Sequence, residues 1–316
     1  MEFELQIIRW LQSIRNDFLD FIFEFLTLFG EELIVIAILG GIYWCIDKKV
    51  GERLGISVFI SLGINSLLKF IIMRPRPFMV DGTIENLRPE TSGGYSMPSG
   101  HTQSASTLFF GVYHFFRKRY LFIIALVITI LVAISRMYIG VHYLSDVIVG
   151  GLLGYIITLL MYKWIGKKDD LNLLYKVILI VSIVALVALF VYNIIALNDI
   201  VFDSAQFYFN TEALAKMIGT LIGFVIGVRI EQKYVNFLNH NNLLKNILRF
   251  AMGIAVIMII RLSLKAVFGL IVDPEELVDN QMFLSIMASF FDFLRYVIMV
   301  VAGIGLYPIL FKKINI

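Results

Sequence analysis

The stretch Ser135 to Asp146, SRMYIGVHYLSD, puts an arginine, a histidine and an aspartate at a break between two apolar runs, Tyr120 to Ile134 and Val147 to Tyr162. His142 and Asp146 are four residues apart. If the chain is helical from Val141 onward, they lie one above the other on one face, where a carboxylate can hold an imidazole N–H. The other ring nitrogen is then free to attack. Arg136, six residues before the histidine, offers a planar cationic fork suited to phosphate oxygens. Two further clusters sit at the ends of apolar runs. Lys69 and Arg76-Pro77, within KFIIMRPRP, place cations at the end of one run, and Pro98-Ser99-Gly100-His101 opens another. A helix N-terminus at Ser99 would offer unpaired N–H groups and a positive dipole end to an anion, with Gly100 allowing close approach. His101 can give or take a proton near neutral pH. Each cluster also admits a plainer role: Lys69 can snorkel, the Arg-Pro pairs can stop a helix, and Pro98 and Ser99 can simply open one.

These groups must be held by membrane-spanning elements. The 316 residues are 59% hydrophobic and 16% charged, with a mean hydropathy of +0.85, whereas ordinary soluble domains are about 45–50% apolar. The chain is therefore expected to be an integral membrane protein, all-α, a polytopic transmembrane helical bundle. Nothing points to a nucleic-acid partner. The single cysteine, Cys45, sits beside Trp44 in an apolar run, which excludes an internal disulfide or a thiolate metal cluster. The opening MEFELQIIRWLQ lacks the pattern of a removable signal peptide.

Residues 3–29 alternate apolar positions with Arg9, Arg15, Asp17, Asp20 and Glu24. This reads as an amphipathic helix on the membrane surface, the rival being a weakly apolar first span. Spans are expected over 33–46, 56–73, 102–116, 120–134, 147–164, 177–197, 214–228, 247–270 and 283–311, nine in all. Asp47 to Arg53 reads as a basic turn and 78–98 as a surface loop. Placing Lys48/Lys49/Arg53, Arg117–Arg119 and Lys163/Lys167/Lys168 inside satisfies the positive-inside rule. The loop 78–98 and the turn 135–146 then face outward. The loops Asn198 to Asn210 and Val272 to Asn280, acidic or neutral, face the same way.

Together, KxxxxxxRP from Lys69, PSGH from Pro98 and SRxxxxxHxxxD from Ser135 resemble the signature of the type 2 phosphatidic acid phosphatase (PAP2) superfamily, lipid phosphatases that also resemble vanadium haloperoxidases. No motif position departs from the pattern, and the resemblance covers about residues 15–165. It implies that His142 attacks phosphorus to form a phosphohistidine, Asp146 orients its imidazole, and His101 protonates the leaving oxygen and then activates water. Lys69, Arg76, Ser99, Gly100 and Arg136 would bind the phosphate, with no metal and no cofactor. Arg74, Arg88, Tyr95 and Tyr138 are further candidates for contact with substrate, Arg74 being expected to face lipid head groups instead. The implied organisation is a surface helix at 1–30, a PAP2-like catalytic membrane domain at 31–168, and an additional transmembrane domain of about four spans at 169–316.

The last domain lies beyond the resemblance. Arg261, Lys265 and Arg295 are candidate substrate contacts there, against a purely structural pairing of Glu212 with Lys216 and Asp292 with Arg295 at helical spacing. Gly219, Gly223 and Gly227 suit close helix packing, within the chain or in a homodimer. The expected activity is hydrolysis of a lipid phosphomonoester or polyprenyl pyrophosphate among membrane lipids. The expected place is a bacterial cell (cytoplasmic) membrane, with the active site outward. The alternatives are a lipid or anion transporter, or a lipid phosphotransferase built on the same phosphate site.

Overall fold

In the computed structural model, residues 2–196, 204–273 and 282–314 are described, and among them every regular element is helical. Two compact units form, one from residues 1–38 and 53–168 and one from 39–52 and 169–316.

In the first unit, α1 (Glu2–Ser13) and α2 (Asp17–Thr27) replace the single surface helix expected over 3–29. Asn16 starts the second, its side chain accepting from Leu19 N at 3.0 Å. Twelve and eleven residues reach only about 16–18 Å at about 1.5 Å per residue, too short to span. A short α3 (Glu32–Gly41) follows. The long α4 (Lys48–Ile72) begins inside the stretch expected to be a basic turn, because Asp47 caps it by accepting from Val50 N at 3.0 Å. It ends at Met73, in the left-handed region with φ 50°, just before the two Arg-Pro pairs. Then come α5 (Pro77–Val80), α6 (Gly100–Phe116), α7 (Arg119–Tyr138) and α8 (Leu144–Ile165).

The centre of this unit is α6, which buries Thr102, Gln103, Ser104, Ser106, Thr107 and Gly111 among its neighbours. Small side chains and two glycines let α8 touch it backbone to backbone. A Cβ at Gly150 would lie 2.6 Å from Ser99 O, and one at Gly154 2.6 Å from Gln103 O. This contact brings the start of α6 against the start of α8, where Ser99 N donates to Asp146 O at 3.0 Å.

The second unit holds α9 (Asn172–Ala196), α10 (Ser204–Ile230), α11 (Leu243–Gly269), α12 (Met282–Val301) and α13 (Ile309–Lys313). The stripe Gly219, Gly223, Gly227 packs within the chain, its missing side chains replaced by Phe293 O, Val297 O and Ile304. π-helical turns end three segments, at Ile42–Ile46, Glu231–Val235 and Ala302–Leu306. Carbonyls of the first and last find side-chain donors: Arg249 Nη1 reaches Trp44 O at 3.2 Å and Trp44 Nε1 reaches Gly303 O at 3.1 Å.

Among the described residues, seven helices are long and apolar enough to cross a membrane, four of them after residue 170. Two of the nine expected spans fall short of that standard: 32–46 is a short apolar helix, and α6 has 17 residues with much of its polar face buried in protein. A helix shielded by its neighbours need not be apolar all round. Most of the two loops expected to be acidic or neutral, 198–203 and 274–280, lies outside the described residues.

Candidate active site

The C-terminal ends of α4 and α7 and the N-terminal ends of α6 and α8 carry the three motifs, and the fold of the first unit brings them together. Asp146 sits in the first turn of α8, fully buried, and one carboxylate oxygen serves several donors. Oδ2 accepts from Tyr143 N at 2.9 Å, from the Ser96 hydroxyl, and lies 3.3 Å from His142 Nδ1. The i, i+4 pairing expected from sequence is thus present, although His142 lies just before the helix. Asp146 caps α8 and fixes the imidazole at once. The opposite ring nitrogen, Nε2, lies 3.4 Å from Arg76 Nη1.

Arg76 is buried and clamped by carbonyls: Nε donates to Gly94 O at 2.9 Å, Nη2 to Gly93 O at 2.9 Å and Nη1 to Val141 O at 3.1 Å. Lys69 Nζ donates to Tyr95 O, and to Ser96 O at 3.3 Å. The loop expected merely to cover the surface therefore folds over the motifs and orients both cations. Arg136 reaches Thr27 Oγ1 at 3.0 Å and Thr91 O at 3.4 Å, while its buried Nε has no hydrogen-bond partner. His101 Nε2 is likewise buried and unpartnered, 4.0 Å from Glu31 Oε1. Ser99 caps α6, its hydroxyl accepting from Thr102 N, and a Cβ on Gly100 would meet Asn65 Oδ1 at 3.4 Å. Burial, followed by the nearby cations Arg76, Lys69 and Arg136, holds the His142 imidazole well below its ordinary range. A neutral ring keeps a lone pair for attack. The arrangement thus joins an oriented, neutral histidine to cations suited to an anionic oxygen cluster, with a second histidine for proton transfer.

Arg88 pairs with Glu31 at 2.9 Å and Glu90 at 2.8 Å. Tyr138 is buried, its hydroxyl donating to Asp20 at 2.5 Å and its ring stacked on Phe23, which ties α2 to α7. Arg295 donates to Asp292 on α12 and Lys216 to Glu212 on α10, both inside the second unit, while Arg261 and Lys265 lie on α11.

Two contributors escaped sequence reasoning, and a third, Arg74, was assigned another place. Ser96 had no signal of its own. Asn65 did: an amide inside an apolar run needs partners, and it donates to Gln103 Oε1 at 2.8 Å and Pro98 O at 3.3 Å, bracing the PSGH turn. Arg74, expected at the head groups, instead donates to the other oxygen of Asp146 at 2.8 Å.

A polytopic all-α bundle with a His–Asp pair, a second histidine and clustered cations at its helix ends has the architecture of the membrane lipid phosphatases. Residues 52–170 match the family described as the PAP2 superfamily, and residues 215–316 match the PAP2 superfamily phosphatase transmembrane extension. The chain belongs to the PAP2 superfamily, and its second half, which the motifs left unexplained, is part of that relationship. It is 32% identical to a probable sphingosine-1-phosphate phosphatase of Dictyostelium discoideum, over 47% of this chain and 39% of that one. Identity to sphingosine-1-phosphate phosphatase 1 of Mus musculus is 25%, over 81% of this chain and 62% of that one. An undecaprenyl-diphosphatase of Sulfolobus acidocaldarius is 34% identical, over 34% and 51%. The chain thus spans about half the length of the curated relatives it matches.

Proposed function

We propose that the chain is a metal-independent phosphatase that hydrolyses a lipid phosphomonoester or a polyprenyl pyrophosphate at the outer membrane face. The observation that carries this reading is the pair of opposed contacts on one ring: Nδ1 of His142 held by Asp146 while Nε2 faces Arg76. In the proposed sequence Nε2 attacks phosphorus as the P–O bond to the lipid breaks. His101 gives its proton to the leaving oxygen, and Asp146 stabilises the positive charge gained by the imidazole. His101 then takes a proton from water, whose oxygen displaces Nε2 and releases phosphate. Lys69, Arg76, Arg136, the Ser99 hydroxyl and the Gly100 N–H stabilise the equatorial oxygens. The unpartnered Nε2 of His101 and Nε of Arg136 support this, since buried polar groups are ordinarily satisfied and a phosphate would supply their partners.

The substrate class is supported by relatives named for sphingosine-1-phosphate and undecaprenyl diphosphate. The outer face is supported by charge: the motifs occupy the helix ends opposite Arg53, Arg117–Arg119 and Lys163–Lys168. The decisive assay is release of inorganic phosphate by purified protein from sphingosine-1-phosphate, undecaprenyl diphosphate, phosphatidate and phosphatidylglycerophosphate. At least one is expected to be cleaved by wild type and none by a folded His142→Ala variant. Absence of release from all four, or cleavage by His142→Ala within tenfold of wild type, would refute the reading.

A further inference from the structure

We propose that Arg74 and Glu4 form a charge-balancing pair that positions the Asp146–His142 couple, which makes the surface helix α1 part of the active site. The inference rests on the hydrolase reading above. Arg74 is the hub: Nη1 donates to Asp146 Oδ1 at 2.8 Å and to Ser145 Oγ at 2.6 Å, and Nη2 donates to Glu4 Oε2 at 2.8 Å. Its guanidinium lies 3.8 Å above the Tyr143 ring, so the fork is fixed in plane as well as in direction. Glu4 closes the circuit, its Oε1 accepting from Ser145 N at 2.8 Å in the first turn of α8. Side-chain exposures of 19% for Arg74, 16% for Glu4 and 0% for Asp146 leave these charges to one another rather than to water.

The arrangement solves an electrostatic conflict. Asp146 must favour positive charge on His142, yet a bare arginine on its other oxygen would oppose that charge at short range. Glu4 cancels the arginine. The trio carries the net charge of one carboxylate, so Arg74 can hold Asp146 in place without spending its field. Burial alone would raise the Glu4 carboxyl, but its bonds from Ser145 and then Arg74 outweigh this and keep it below the usual range.

The helix that carries Glu4 is built to sit at the membrane. Leu5, Ile8 and Leu11 are buried with Tyr138, Val141 and Tyr143, next to the site, and Arg9 pairs with Asp81 at 2.6 Å. On the other side Phe3 and Trp10 are 68% and 63% exposed, as suits aromatic groups at a lipid interface. Glu4 and Arg74 are positioning residues, since neither touches the reacting atoms.

The test compares Glu4→Gln, Arg74→Met and the double variant in the full chain, reading kcat and KM on whichever lipid phosphate wild type cleaves. Vanadate affinity serves as a readout that needs no turnover. Glu4→Gln leaves Arg74 uncompensated and is expected to lower kcat about 10- to 100-fold with KM within about threefold, and to weaken vanadate binding. Removing the arginine as well should restore kcat to within about tenfold of wild type, a non-additivity that a mere structural tie does not produce. A Glu4→Gln rate within twofold of wild type, or a double variant no faster than Glu4→Gln, overturns the proposal. If Glu4→Gln does not fold, the charge-neutral double variant decides alone: kcat within tenfold supports the pair and a loss beyond 100-fold overturns it. A wild type that neither releases phosphate nor binds vanadate refutes the hydrolase reading and this inference with it.

Discussion

Replacing Asp146 by asparagine removes one charge at nearly constant shape, and its effect can be worked from the geometry. Between Asp146 Oδ2 and His142 Nδ1, 3.3 Å apart, a full imidazolium charge would gain about 5 kcal/mol at an effective dielectric constant of about 20. With half to all of that charge developed in the transition state, the loss is about 2.5–5 kcal/mol, or roughly 70- to 5,000-fold in kcat. Stability should fall through the Arg74 contact, since an amide nitrogen at the Oδ1 position cannot accept from the guanidinium, while the helix cap persists. The asparagine oxygen can still accept from Tyr143 N, and an asparagine caps a helix about as well as an aspartate. The assay is phosphate release by purified protein alongside a thermal melt of the same sample. A folded Asp146→Asn variant retaining more than a tenth of wild-type kcat would refute the charge argument. A variant that is unfolded would instead show that the Arg74 contact dominates.

Gly150→Ala should lower kcat by about 10²-fold: its Cβ would sit 2.6 Å from Ser99 O, and a displacement of about 1 Å in a catalytic group has that cost. Unchanged kinetics would mean that the start of α6 does not need this close approach. The depressed His142 pKa also predicts a stability effect. Below about pH 6.5 the unfolded chain binds a proton that the folded ring refuses, so stability falls with pH there by up to about 1.4 kcal/mol per unit. The melting temperature of wild type should therefore drop more between about pH 7.5 and 5.5 than that of His142→Gln, and equal drops would contradict the assignment. Excess EDTA should leave turnover unchanged while vanadate inhibits, because cations of the chain itself surround the phosphate; magnesium-dependent recovery after EDTA would remove the metal-independent mechanism. A cysteine at Gly82 or Gly93, both exposed, should react with an impermeant thiol reagent in intact cells, and labelling only after permeabilisation would reverse the sidedness.

What was legible in the sequence follows from the range of the contacts involved. His142 and Asp146 are four apart, and Ser99 caps a helix three residues on, so spacing alone placed them. The length of α4 and the break at Asn16 were also local facts, written in Asp47 and Asn16 as capping residues but overridden by hydropathy and by the basic run. The nine expected spans and the seven helices that are long and apolar enough differ for another reason. Hydropathy measures what a helix could bury in lipid, and α6 buries its polar face in protein instead.

The least legible contacts are those that tune the site. Ser96 meets Asp146 across fifty residues, Arg74 across seventy-two, and Glu4 reaches Ser145 across one hundred and forty-one. No periodicity encodes such pairs. One clue was nevertheless present, because on the proposed orientation Arg74 is a cation at a helix end that the positive-inside rule leaves without a reason. A half-buried cation must find a countercharge, and Arg74 finds two, Glu4 and Asp146. The carboxylate that the motif supplies, Asp146, cannot both neutralise Arg74 and stabilise His142, so a second acid was needed somewhere. The amphipathic N-terminus, whose acids read as a solvated face, is where the chain placed it.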